Sequence, residues 1–128
     1  RAGRVRCAPR FVAALRSGDV PQGAVLAMAR IAGIGAATRT SELLPLAHLI
    51  GIHGVVVDIE VTSDGVQIAV TVRTVDRTGV EMEALTAVAV AALAVVDMVK
   101  GIDKTTSITD VRLIAKSGGR SGDWRREE

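Results

Sequence analysis

The 128-residue chain is 48% hydrophobic with a mean hydropathy of +0.35, enough apolar matter for one compact domain and too much for a disordered chain. Its net charge of +2, with Phe11 and Trp124 as the only aromatic residues, supplies neither the basic surface nor the stacking platform that nucleic-acid binding requires. Cys7, alone, makes no internal disulfide and no CxxC metal site, the longest charge-free stretch of the most apolar helix covers only residues 84–96, and RAGRVRCAPR lacks the apolar run of a signal peptide; a soluble cytoplasmic protein without membrane contact is expected.

Residues 5–7 read as a short strand. Pro9 then opens a helix with Phe11, Val12 and Leu15 at helical spacing, ended by Gly18. A second helix is expected over residues 24–38, where Leu26, Met28, Ile31, Ile34 and Ala37 form an apolar stripe and Gly33 and Gly35 permit close packing. Two alternating segments follow: Val55, Val57, Ile59 and Val61 against Asp58 and Glu60, then Val66, Ile68, Val70 and Val72 against Gln67, Thr71 and Arg73. Thr62-Ser63-Asp64-Gly65 between them has the turn chemistry of a hairpin. Strands apolar on one face belong to an antiparallel sheet covered on one side.

The long helix is expected to begin at a capping box, Thr78-Gly79-Val80-Glu81, and to run to about Lys100. Residues 87–96 read AVAVAALAVV and have no wet face, so burial on all sides is expected. A 13.3 kDa domain surrounds such a helix with difficulty, which points to burial against another subunit. A last strand, residues 108–116, alternates around Val111 and Leu113 and enters a glycine-rich tail. This order specifies one α+β domain over residues 1–128, with helices on one face of an antiparallel sheet.

The charged residues of the long helix lie at its ends: Glu81 and Glu83 at the start, Asp97 and Lys100 near the finish. Asp97 and Lys100, three apart, share a face and can pair. Nineteen residues separate Glu81 from Lys100, about 28 Å of helix, so one site using both ends must lie between subunits. His48 and His53 have no carboxylate or cysteine at metal-ligand spacing, which argues against zinc. From their setting alone, each reads more readily as a structural histidine than as a catalytic one. Lys116-Ser117-Gly118-Gly119-Arg120-Ser121-Gly122 combines backbone amides, hydroxyls and two cations suited to a di- or triphosphate, without the spacing of a P-loop.

The blocks ARIAGI, RTSELLPLAH, RTGVEMEALTAV, DMVKGIDK and KSGGRSGDWR, in this order over nearly the whole chain, resemble the cyclic pyranopterin monophosphate synthase family of molybdenum cofactor biosynthesis. The resemblance implies a ferredoxin-like two-layer subunit, assembled into a hexamer as a trimer of dimers, with active sites at the dimer interface. It implies conversion of (8S)-3′,8-cyclo-7,8-dihydroguanosine 5′-triphosphate to cyclic pyranopterin monophosphate with release of pyrophosphate. By position, His48, Glu81, Glu83, Asp97 and Lys100 are similar to the family's catalytic residues. Lys116, Arg120, Arg39 and Arg77 fall on its substrate and phosphate side, with Mg²⁺ as a candidate cofactor.

Three segments depart from the family pattern. Gln22 stands where a KGDV-like segment has a lysine that the family uses in catalysis, Thr38 stands where an AAKRT segment has a further cation, and the histidine of a Cys-His-Pro segment survives here as Ala47-His48-Leu49. The resemblance also implies an N-terminal segment of family members ahead of the strand at residues 5–7. Two functions are therefore expected as alternatives: an active synthase, or a catalytically impaired paralogue that binds a purine triphosphate or assembles with an active homologue.

Overall fold

The computed structural model describes residues 2–7, 22–63, 65–75, 79–101, 105–118 and 122–127. Its elements in chain order are β1 (Ala2–Cys7), α1 (Gln22–Thr38), the short α2 (Thr40–Leu43), β2 (Gly54–Val61), β3 (Val66–Arg73), α3 (Glu81–Val99), β4 (Arg112–Ser117) and β5 (Trp124–Arg125). The helix expected between Pro9 and Gly18 lies outside the described residues. The strands form one sheet in the order β2-β3-β1-β4-β5, antiparallel at every pairing. Two βαβ-like halves with β1 and β3 at the centre and α1 and α3 packed as a second layer give the expected ferredoxin-like architecture.

The β2–β3 hairpin follows the sequence pattern closely. Val66, Ile68, Val70 and Val72 are fully buried, Val57 opposite Val70 is buried with them, and Asp58 and Glu60 stay exposed. The turn closes where the Thr62 amide and hydroxyl both donate to the Gly65 carbonyl, at 2.8 and 3.2 Å. β4 is shorter than expected, starting at Arg112, because Asp110 takes a left-handed φ of 57° that ends any extended run before it. A register shift between Arg4 and Val5 in the β1–β4 pairing also erases a clean in–out alternation in β4.

The helix layer departs from expectation in an instructive way. In α1 the buried face is Val25, Ala29, Gly33, Ala36 and Ala37, whereas Met28, Ile31 and Ile34 of the expected core stripe are 53%, 65% and 38% exposed. Small residues face α3 because the two helices nearly touch. A methyl placed on Gly33 would lie 3.2 Å from both the Ala87 carbonyl oxygen and the Ala91 Cβ. The alanine-rich face of α3 (Ala84, Ala87, Ala91) complements this, and larger side chains are excluded from the contact and turned outward.

α3 is long and apolar enough to pass a length-and-composition test for a membrane span, yet its buried residues make it the core helix of the two layers. The expected burial on all sides is not met within one chain. Leu93 is 56% exposed and Ala89, Val90, Ala94 and Val96 are only half-buried, because a two-layer domain covers the sheet side of the helix and leaves its outer stripe open. The expected capping box also shifts: the helix begins at Glu81 with Val80 as N-cap and no side-chain cap, and Thr78 lies outside the described residues.

Enlarging Gly33 tests the close contact. Gly33→Val should push α1 from α3 and lower stability by about 1–3 kcal/mol, the usual cost of overpacking. Urea unfolding followed by circular dichroism reads this out, and unchanged stability would refute the contact.

Candidate active site

The start of α3 leaves its first-turn amides without a side-chain cap, and the two acids of that turn answer the need themselves. Burial pushes the Glu81 carboxyl upward, but the hydrogen bond and charge of Lys116, together with the amide of Glu81 itself, outweigh it and hold the group below the usual carboxylate range. The ion pair is short, with Lys116 Nζ 2.8 Å from Glu81 Oε1, and largely enclosed, the two side chains being 16% and 27% exposed. Lys116 reaches this point from β4, where it pairs with Gly3 of β1 on one side and Trp124 of β5 on the other.

Glu83 sits one step along the helix and has the opposite electrostatics. Its side chain is buried, at 4% exposure, and desolvation raises its carboxyl; its own amide opposes this, and the nearby charge of Glu81 adds to the rise. The result is a pair of neighbouring carboxylates pushed in opposite directions, one lowered by a lysine and one raised by burial. Such a pair can divide acid and base roles. His48 joins them across a small cavity lined by Ala47, His48, Gly79, Glu81 and Glu83. The exposed segment that carries His48 also includes Leu46, which lines the same cavity and is 92% exposed.

Gly79 was not singled out from sequence, and the geometry explains its identity. A Cβ there would run into the Glu81 carboxylate, so a side chain at this position would displace the acid from Lys116. The signal was present as the glycine two residues before the acid, but it reads equally as an ordinary turn. His53, by contrast, is structural: its amide donates to the Arg73 carbonyl at 2.8 Å and its Nδ1 accepts from the Val75 amide at 3.4 Å.

Asp97 and Lys100 lie at the far end of α3, paired at 2.7 Å and exposed at 70% and 68%. One chain therefore does not bring them to Glu81, Glu83, His48 and Lys116. Arg39 is exposed beside an open groove lined by Ile31, Gly35, Glu42, Leu43 and Val90, apart from the Glu81 cavity. The Thr38 hydroxyl donates to the Gly35 carbonyl at 2.8 Å, and Gln22 begins α1 at the opposite end. Arg77, Arg120 and the side chain of Gln22 lie outside the described residues. Among the described residues no three His, Cys, Asp or Glu side chains converge to hold a metal ion.

The sequence model of the MoaC family matches residues 1–119. The chain is 61% identical over 124 residues to the cyclic pyranopterin monophosphate synthase of Streptomyces coelicolor, an alignment that covers 97% of this chain and 73% of that protein. It is 52% identical to the protein of the same name from Chloroflexus aggregans, with 98% and 78% covered. It is 50% identical to that of Pelobacter propionicus, with 99% and 81% covered.

The Glu81–Lys116 pair makes a pH-dependent contribution with a definite sign. Because the Glu81 carboxyl is lowered in the folded state, its stabilisation is present above the unfolded-state value and is lost as pH falls through the folded value. Lys116→Ala should therefore cost about 1 kcal/mol near neutral pH, the range of a partly solvent-screened pair, and progressively less in acid. Urea unfolding across pH measures this; an equal loss at neutral and acid pH would exclude the pair as its source.

Proposed function

The chain belongs to the MoaC family, and from that premise we propose that it serves molybdenum cofactor biosynthesis by converting (8S)-3′,8-cyclo-7,8-dihydroguanosine 5′-triphosphate to cyclic pyranopterin monophosphate and pyrophosphate. The observation that carries this reading is the enclosed Lys116–Glu81 pair, whose Glu81 lines one cavity with the buried Glu83 and His48. The reaction rearranges a purine ring and releases pyrophosphate, so it needs proton donors and acceptors near a cation. Glu83 would hold or deliver a proton, Glu81 would remain ionised until phosphate draws Lys116 toward the substrate, and the amide-rich tail with Arg120 would take the remaining phosphate charge. Arg39 and Arg77 would complete the anion-binding set. The reading places the protein in the cytoplasm, where a nucleotide-derived substrate is made.

Asp97 and Lys100 enter the same site only from a second chain. The open stripe of α3 favours this: Thr86, Val90 and Leu93 lie along it, and its midpoint falls close to Val90. A two-fold axis near Val90 would bring Glu81 of one chain toward Lys100 of the other, burying Leu93, Ile31 and Ile34 at the same time. An exposed apolar face of this kind is the surface signature of a protein interface. Paired dimers of this sort would make up the trimer of dimers.

Gln22 and Thr38 favour a second reading, an impaired paralogue that binds a purine triphosphate or assembles with an active homologue. Glutamine transfers no proton, and losing a proton-transferring lysine costs about 10²–10⁴ in rate. The Thr38 hydroxyl is in any case directed at its own helix.

Incubation of the purified chain with enzymatically generated cyclic dihydro-GTP should yield pyrophosphate and cyclic pyranopterin monophosphate together, faster in the Gln22→Lys/Thr38→Lys double variant and abolished by Lys100→Ala. Product only after the lysines are restored would establish the paralogue, and no product from either would overturn the synthase reading. In sedimentation equilibrium the intact chain should approach six times 13.3 kDa, and Ile31→Glu/Leu93→Glu should reduce it toward smaller species; a monomeric intact chain would exclude the shared site.

A further inference from the structure

The glycine-rich tail does not leave β4 as a loose arm. It returns as β5, pairing Ala115 with Arg125 and Lys116 with Trp124, and Arg126 extends the ladder by donating its amide to the Ile114 carbonyl at 2.7 Å. The Arg126 side chain ties down the return twice, donating Nε to the Leu113 carbonyl at 2.8 Å and stacking its guanidinium 5.6 Å from the centre of the Trp124 ring. At the neck of the connection the Asp123 carboxylate accepts the Gly118 amide at 2.9 Å. Gly118 and Gly122 have φ of 76° and 74°, a conformation that glycine adopts without strain.

These contacts set the position of Lys116. Its backbone is flanked by β1 and β5, and its ammonium must cross to the start of α3 to meet Glu81. β5 has only two residues, too short to hold its own register, so the closure at Gly118 and the anchor at Arg126 carry that task. A carboxylate accepting a backbone amide makes a charge-assisted bond, stronger than a neutral one. It also occupies the Gly118 amide with a negative charge, so this amide is not open to an incoming phosphate.

We propose that Asp123 is a positioning residue, which closes the β4–β5 turn on Gly118 and thereby holds Lys116 against Glu81. The inference rests on the reading of Lys116 and Glu81 as a functional pair, but its test needs no turnover. Carbon-13 NMR of glutamate-labelled protein, with Glu81→Gln for assignment, follows the Glu81 carboxyl through a pH titration, while amide exchange follows Gly118. Asp123→Ala should raise the Glu81 midpoint, because burial then acts with less opposition from Lys116, and should speed Gly118 exchange about tenfold, the loss of one hydrogen bond. Asp123→Asn keeps an acceptor oxygen and should restore both.

Faster Gly118 exchange with an unmoved Glu81 midpoint would overturn the proposal, since Asp123 would then order the turn alone. Unchanged exchange would overturn it as well. Protection of the Val70 and Val72 amides reports whether each variant is folded, and Asp123→Ser replaces Asp123→Ala if the latter is not. A chain that shows the Glu81 shift but makes no pterin product would sink the reaction and leave the positioning role standing; product formation with no shift would do the reverse.

Discussion

The close approach of α1 and α3 is the constraint from which most of the molecule follows. With Gly33 set against Ala87 and Ala91, the helix pair has no room for larger side chains between its axes. The contact is made of methyl groups and backbone, and dispersion across a dense small-residue surface takes the place of interlocking leucines. The larger apolar side chains of the layer then divide into two sets. Val25, Val88, Val95 and Val99 reach the core, and Met28, Ile31, Ile34 and Leu93 point away from it. Among the described residues the interior is filled by valine and alanine, with Ile68 as the largest fully buried side chain, and large apolar side chains appear on the outer face.

That same packing fixes where chemistry can occur. α3 lies across the sheet with its first turn beside the end of β4, and the orphan amides of an uncapped helix start attract negative charge. Two glutamates supply it, but they meet different surroundings. Glu81 faces the lysine of β4 and stays ionised, while Glu83, one step on, is drawn into the protein and desolvated. Their opposite shifts arise from position on the helix rather than from any difference in side-chain type. Gly79 takes part by leaving space for the Glu81 carboxylate to fold back toward the helix start.

The sequence carried the β2–β3 hairpin almost completely, because alternation of valine and isoleucine with polar residues has the same period as the pleat, and the hairpin turn announced itself chemically. The helices were legible as elements but not as faces. Large apolar residues at helical spacing in α1 suggested the core side, and the true core side was the one whose small residues permit contact. Asp110 ended the extended run before β4 without a glycine or proline to signal it, and the two-residue β5 was hidden in a tail whose composition reads as a loop. The candidate residues were named through motif resemblance, whereas their division between two ends of a helix followed from counting alone. Gly79 and Asp123 escaped notice because each acts through a neighbour, and such roles have no composition signal.

The length of α3 links these two levels. A helix long enough to cover the sheet necessarily separates acids at its first turn from the Asp97–Lys100 pair at its last by about 28 Å. A single domain cannot fold that distance away, since bending the helix would open the Gly33 contact on which the layer depends. Hydrophobic surface left outside by small-residue packing lies between the two charged ends, on the stripe that carries Val90 and Leu93. A second copy laid antiparallel on that stripe would cover the apolar surplus and join the two ends in one act. The feature that makes the subunit's interior thin and its outer face apolar is thus the same feature that would make its site complete only in an assembly.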